Sequence, residues 1–316
     1  MPAAGARSIV SASMSTTGNN THNNRRRLPN WLKRPLSAGP GLDRVAGLLK
    51  DLHLNTVCDG ALCPNRGECF SSGTATFMIL GDRCTRNCAF CAVPHGVQEQ
   101  PDAEEPGRLA RAVELLKLKH VVITSVTRDD LPDGGAGQFA ACIRELKKRL
   151  PSTTVEVLIP DFRGDTGLLN IVLEADPEVL NHNLETTRRL TAEIRSGADY
   201  ERSLSVLRHA ADSDRRPVVK SGFMLGLGEK DEEIGELLGD LLGAGVHALT
   251  VGQYLRPSRD HREVSRYYTP KEFDSLGQRA LDLGFLSVAS APFVRSSYRA
   301  ERMYAECLDK RAGGGE

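Results

Sequence analysis

"TFMILGDRCTRNCAFCAV", residues 76–93, joins an apolar, β-branched run to three cysteines spaced C-x3-C-x2-C: Cys84, Cys88 and Cys91. The run 76–81 reads as a buried strand, and the cysteine loop follows directly from its carboxyl end. In parallel α/β architectures ligand sites gather at that end, where loops carry chemistry on a rigid scaffold. The order strand-then-cysteines therefore predicts both the fold class and the place of the site.

The same unit recurs along the chain. Apolar or β-branched runs at 120–125, 153–159, 178–183, 217–226 and 246–252 alternate with helical periodicity at 107–119, near 137–150, 199–211 and 231–244. Strand, helix, strand repeated about six times predicts parallel strands with right-handed crossovers, and the apolar run 285–290 is a candidate to end the set. Periodicity leaves a doubly wound sheet and a barrel, complete or partial, both open. Polar or glycine-rich stretches follow most strands, as in "SVTRDDLPDGG", "NHNLET" and "GLGE". Turn geometry alone explains any single one of these glycines.

With 316 residues, 40% of them hydrophobic, the chain can bury a substantial core. Lys plus Arg and Asp plus Glu each number 41, so the chain lacks the global positive field of non-specific nucleic-acid binding. No apolar run approaches the ~18 residues of a spanning helix. Neither a nucleic-acid nor a membrane partner is expected. Residues 1–26 are rich in Ser, Thr, Asn and Gly, and the first acidic residue is Asp43. They read as a disordered tail, with a transit peptide as the alternative; cytoplasm is the expected compartment and the mitochondrion the alternative. The terminal "AGGGE" is expected to be unstructured.

Six of the eight cysteines form two triplets, Cys58, Cys63 and Cys69 as C-x4-C-x5-C, then Cys84, Cys88 and Cys91. Clustered thiols without a secretory signal read as metal ligands instead of disulfides. Cys142, on a helical face with Phe139, Ile143 and Leu146, and Cys307, one turn after Met303, read as packed side chains. Three thiolates on a short loop suit a 4Fe-4S cubane with one iron left open to a substrate or cofactor. A zinc site or a Cys88–Cys91 redox pair are the alternatives; the first usually adds paired cysteines or histidines, and the second leaves Cys84 without a use.

With Phe90 before its last cysteine, the C-x3-C-x2-C loop resembles the radical S-adenosylmethionine (SAM) superfamily. That resemblance implies a reduced cluster whose open iron chelates SAM and a 5'-deoxyadenosyl radical as product of its cleavage. The first triplet, together with "VTRDDLPDGG", "NHNLET", "KSGFMLGLGE", "VGQYLRPS" and "FVRSSY", narrows the resemblance to the lipoyl synthase family, over about residues 28 to 305. The family implies a partial parallel (β/α)6 TIM-type barrel over 73–291. Extensions at 27–72 and 292–316 then carry an auxiliary 4Fe-4S cluster on Cys58, Cys63, Cys69 and Ser297, the last from the Arg295-Ser296-Ser297-Tyr298 motif.

The implied enzyme is a sulfurtransferase of lipoate biosynthesis. It inserts sulfur at C6 and C8 of a carrier-bound octanoyl-lysine, consuming two SAM molecules and the auxiliary cluster. Its implied partners are octanoylated lipoyl domains (2-oxoacid dehydrogenase E2 subunits and the glycine cleavage H protein), a low-potential electron donor and an iron–sulfur cluster carrier. Asn183 and Glu185 match positions that bind the nucleoside ribose, with loop capping as the plain alternative. Lys220, Ser221 and Glu229 carry over less firmly, a helix cap or an ion pair serving as well. "SVTRDD" stands where many superfamily members have Gly-Gly-Glu, which leaves the contact to the cofactor's amino group unassigned. His95 and His182 are assigned to no cluster, and Arg295 reads either as neutralising a cluster or carboxylate or as a surface ion pair. Residues 25–35 read by default as a solvated basic face, with covering the auxiliary cluster or touching an acidic carrier protein as the alternatives. Two other readings are a radical SAM enzyme inserting sulfur into a free small molecule and a two-cluster electron-transfer protein.

Overall fold

The computed structural model describes residues 28–34 and 40–313; the tail at 1–26 lies outside the described residues. A short 3-10 turn, Asn30–Leu32, precedes α1 (Pro40–Asp51), β1 (Asn55–Thr56), α2 (Val57–Gly60) and α3 (Arg66–Ser71). The repeating part follows: β2 (Thr76–Ile79), α4 (Glu105–Leu116), β3 (His120–Ser125), α5 (Ala136–Arg149), β4 (Thr154–Leu158), α6 (Thr166–Glu174) and β5 (Val179–Asn181). It continues with α7 (Arg188–Ile194), α8 (Tyr200–Ala211), β6 (Val218–Leu225), α9 (Asp231–Gly243), β7 (Ala248–Gln253), α10 (Pro270–Leu283) and β8 (Ser287–Ser290). The last element is α11 (Ala300–Gly313).

One eight-stranded sheet runs β1 to β8 in chain order, antiparallel between β1 and β2 and parallel thereafter. A doubly wound sheet must reverse its order at a switch point. This one never does, so its winding is that of a barrel, left open between β1 and β8. The parallel set reaches seven strands because the run 285–290 does supply β8. β1 is only two residues long and leaves no periodicity to read.

β2 is buried at every position and β7 likewise, as strands covered on both faces must be. Helices the periodicity search missed carry clear end signals. α6 starts at Asp165, whose carboxylate accepts the N–H groups of Gly167 (2.8 Å) and Leu168 (3.2 Å). α10 opens with a capping box, Thr269 with Glu272, with Pro270 in the first turn, and stops at Gly284 in the left-handed region (φ 119°).

α11 corrects the expectation for the terminal glycine run, since Ala312 and Gly313 belong to the helix; 314–316 lie outside the described residues. Its apolar face covers the amino ends of the strands, with Met303 and Cys307 packed on Val179, Val218 and Ala248. Above that plug, Lys220 on β6 reaches Glu156 on β4 across β5, with Nζ at 2.9 and 3.1 Å from the two carboxylate oxygens. Both are 1% exposed, and Asn181 donates to the same carboxylate at 3.2 Å. Cys142, on the inner face of α5, is buried in the main core. α11 and the buried Lys220–Glu156 ion pair close the amino end of the barrel beneath β5, β6 and β7. Among the described residues no helix is long and apolar enough to cross a membrane.

Candidate active site

A cavity of about 730 Å³ runs from the loops at the carboxyl ends of the strands down to Thr76 and His120, the first residues of β2 and β3, and both cysteine triplets line it together with Phe90, Asn183, Glu185, Arg295 and Ser297. All six thiols are free. The two groups, separate in sequence, face one space.

The loop bearing Cys84, Cys88 and Cys91 is held from several sides. The Cys84 sulfur accepts backbone N–H groups from Arg86 (3.4 Å) and Thr127 (3.3 Å). Thr85 donates to the Thr127 carbonyl through both its N–H (3.0 Å) and its hydroxyl (2.9 Å), and Asp129 N–H donates back to the Thr85 hydroxyl at 3.0 Å. Arg86 forks onto two carboxylates, Asp129 at 2.7 and 3.0 Å and Asp161 at 2.7 and 3.1 Å. The "SVTRDD" stretch is therefore a brace for the cysteine loop. From the opposite side, Arg262 N–H donates to the Ala89 carbonyl at 2.8 Å, and His261 Nε2 lies 2.9 Å from the Cys91 carbonyl.

Asn183 and Glu185 leave the end of β5 toward the cavity. Asn183 Nδ2 donates to Glu185 at 3.0 Å, while its buried Oδ1 has no partner among the described residues. Glu185 holds a left-handed backbone (φ 64°), a strained state for glutamate, and bonds through both backbone groups to β6. Burial raises its carboxyl pKa, against the opposing charge of Arg195. Any Cβ at Gly222 would collide with Thr250 and lie 3.2 Å from Asn183 Oδ1, so glycine keeps this wall clear. Phe90 packs on an apolar cluster of Leu190, Ile194, Leu227 and Tyr254.

The other triplet sits on α2, α3 and the turn between them. Thr76, first residue of β2, donates its hydroxyl to Ser297 Oγ at 2.8 Å, and its backbone offsets part of the rise that burial gives the Cys58 thiol pKa. Asn65 Nδ2 donates to the Phe293 carbonyl at 2.7 Å, tying the triplet to the segment that carries Ser297. Arg34 strengthens this tie, paired with Glu68 at 2.7 Å and stacked 3.9 Å above the Phe293 ring. Trp31 anchors the same N-terminal stretch through the Tyr268 carbonyl at 3.1 Å. Of 25–35, the described residues 28–34 are tied down through Trp31 and Arg34 and buried at Leu32, while Leu28, Asn30, Trp31, Lys33 and Arg34 stay exposed, as a solvated face would be. Arg295 lines the cavity beside Cys63, burial lowering its pKa against that thiolate's charge.

Of the remaining candidates, His182 lines the cavity, whereas Lys220, Ser221, Glu229 and His95 do not. Lys220 is in its buried ion pair, and Ser221 donates to the His182 carbonyl at 2.8 Å. Glu229 accepts three successive N–H groups, Gly226 to Gly228, and locks the turn after β6. His182 has both ring nitrogens engaged, with the Ile159 carbonyl (2.9 Å) and the Ser203 hydroxyl (3.0 Å); burial and then Arg195 push its pKa down to about 4. His95 is exposed, its neighbouring backbone bridging to Cys84.

Burial raises the thiols, Cys58 and Cys91 to about 12 and Cys69 to about 11, and moves Cys88 the same way. Iron binding must displace those protons. Among the described residues no three His, Cys, Asp or Glu side chains converge tightly enough for a single metal ion. A cubane spreads its thiolates over separate irons, and sulfurs that accept backbone N–H groups suit it. The donor sets fit such clusters: three thiols each, with an oxygen from Ser297 beside one of them.

The sequence model of the Radical SAM superfamily matches residues 78–241. The lipoyl synthase of Desulfotalea psychrophila is 53% identical over 276 residues, 87% of this chain and 92% of the relative. That of Methylococcus capsulatus is 54% identical over 280 residues, 88% and 87% of the two chains. The chain belongs to the lipoyl synthase family. As a lipoyl synthase family member it is an enzyme of the radical SAM class, and SAM and iron–sulfur clusters are the family's cofactors. Solved structures similar in fold include HydG, a maturase of the [FeFe]-hydrogenase (TM-score 0.53, 14% identity, 84% of this chain and 74% of that one). Methylornithine synthase PylB is another (TM-score 0.51, 17% identity, 80% and 72%).

In this lipoyl synthase family chain the structure adds residues that motif reading passed over. Arg195, 8% exposed and lining the cavity near Glu185 and Cys88, is a lone arginine after α7 with no local signal. Asp161 and Thr76 likewise act on cysteine loops through contacts distant in sequence.

Proposed function

We propose that this protein is a sulfurtransferase that converts a carrier-bound octanoyl-lysine to lipoyl-lysine by inserting sulfur at C6 and C8. The observation that carries the reading is that Cys84, Cys88 and Cys91 share one cavity with Cys58, Cys63, Cys69 and Ser297. A carbon radical made beside one thiol set must meet sulfur held by the other before it meets solvent, which requires a common, water-poor space.

In this reading Cys84, Cys88 and Cys91 hold the radical SAM 4Fe-4S cluster; Cys58, Cys63, Cys69 and Ser297 hold the auxiliary one, giving two clusters in all. When bound, the first cluster and SAM supply the electron and the 5'-deoxyadenosyl radical. Asn183 Oδ1 and the Glu185 carboxylate receive the ribose hydroxyls, Arg195 places a cation for the SAM carboxylate, and Phe90 supplies an apolar wall. Val57, Met78 and Val122 offer the octanoyl chain an apolar lining. The auxiliary cluster is a substrate, the source of both sulfurs; an oxygen ligand is a poorer match than thiolate for its iron and leaves more readily.

The barrel at 73–291 then works with extensions at 27–72 and 292–316 that meet at the auxiliary site. The carriers are lipoyl domains of 2-oxoacid dehydrogenase E2 subunits and the glycine cleavage H protein. A low-potential donor supplies electrons, an iron–sulfur carrier rebuilds the auxiliary cluster, and the cytoplasm is the compartment. The test is anaerobic reconstitution with an octanoyl-lysyl carrier peptide, reductant and SAM, followed by mass spectrometry. A gain of two sulfurs is expected; no gain from protein loaded with about eight irons would overturn the reading.

A further inference from the structure

Thr76 stands where the barrel meets both segments of the auxiliary site. It is 6% exposed, and its register on β3 is fixed by pairing with Val122, while Phe77 next to it pairs with Thr56 on β1. Its hydroxyl donates to Ser297 Oγ at 2.8 Å, and both residues line the cavity with Cys58. Ser297 itself arrives on an irregular segment between β8 and α11, tied four residues earlier through the Phe293 carbonyl. A serine on such a segment has several staggered positions open to its hydroxyl. Among the described residues, the hydrogen bond given to that hydroxyl is the one from Thr76.

We propose that Thr76 is the positioning residue for the oxygen ligand of the auxiliary site, its hydroxyl holding Ser297 Oγ against the Cys58 side of the triplet. The proposal rests on the reading of Ser297 as a ligand. A rigid strand residue thereby sets the place of a group whose own segment does not. It also receives the serine whenever the oxygen comes off iron, so the ligand is kept ready for the next cluster.

The test uses the full chain with Cys84, Cys88 and Cys91 all changed to alanine, so that only the auxiliary site is loaded. Anaerobic transfer of iron to a chelator is followed by loss of the cluster's visible absorbance. Thr76→Val keeps the β-branched shape and the strand backbone but removes the hydroxyl; release is expected to be roughly fivefold faster, the effect of one net hydrogen bond. Thr76→Ser restores the hydroxyl and should return the rate to that of the parent. In a Ser297→Ala background Thr76→Val should add nothing. Equal rates for the parent and Thr76→Val, beside a faster Ser297→Ala, would overturn the positioning role and leave the ligand reading standing. An equal acceleration by Thr76→Val in the Ser297→Ala background would also overturn it, by showing that the effect runs through the strand. Release from Ser297→Ala at the parent rate would instead remove the ligand reading itself.

Discussion

Replacing Arg86 with methionine keeps an unbranched side chain in place but deletes the fork that ties the Cys84–Cys91 loop to the loops after β3 and β4. Four hydrogen bonds of 2.7–3.1 Å are lost, and Asp161, whose side chain is fully buried, keeps only Arg202 at 2.8 Å as an ionic partner. Burial alone would raise the Asp161 pKa; the hydrogen bonds and charge of Arg86 hold it well below the carboxylate range. Removing one partner of a buried pair costs about 3–5 kcal/mol. The lower end applies, because Arg202 remains and the Asp129 side chain is 24% exposed. About 3 kcal/mol, borne by the loop that carries the thiols, is roughly a hundredfold in retention of the radical cluster. The assay is chelator competition on reconstituted protein, with the reduced cluster's electron paramagnetic resonance recorded with and without SAM. The auxiliary cluster, on α2 and α3, should persist in the same sample and so report that the protein is folded. Wild-type retention of both clusters in Arg86→Met would refute the reasoning.

Three further perturbations have expected outcomes. Lys220→Met strands Glu156 in the barrel and should lower stability by about 3–5 kcal/mol, or roughly 5–10 °C in Tm; Lys220→Met/Glu156→Leu should recover most of it. Burial favours a raised Glu156 pKa, but Lys220 and then His120 bring it down to about 2 from 4.5. A depressed carboxylate stabilises above its unfolded pKa, so the gap between wild type and Lys220→Met should narrow as pH falls from 4.5 toward 2 in thermal melts. A gap independent of pH would refute the pairing. Gly252→Ala would drive a Cβ into the Val294 carbonyl and push the Ser297 segment off β7; auxiliary iron should be lost with radical-cluster iron kept, as measured by iron content and Mössbauer spectra. Asn183→Ala should weaken SAM binding roughly five- to tenfold in anaerobic equilibrium dialysis, and unchanged affinity would remove Asn183 from the cofactor wall.

Much of this protein was readable from local pattern. Apolar runs and 3.6-residue periodicity follow from which faces must be buried, so seven parallel strands and the main helices were visible in order, and the cysteine spacings located both thiol sets. Short elements such as β1 carry too few residues to show a period, and α6 and α10 had end signals that a search by period alone overlooks. Periodicity alone did not give the winding, since burial patterns say that a strand is covered but not by which neighbour; the family resemblance implied a partial barrel, and the unreversed strand order bears it out, with seven parallel strands. The sharing of one cavity by two triplets, the Thr76–Ser297 contact across 221 positions and the Lys220–Glu156 pair across 64 are likewise products of tertiary packing. Sequence by itself determined the spacing of both thiol sets and the place of the Cys84–Cys91 loop after β2, because both depend on neighbours along the chain. Tertiary structure decided which side chains brace, orient and neutralise those ligands, because such contacts exist only once the sheet has curled and brought distant loops together.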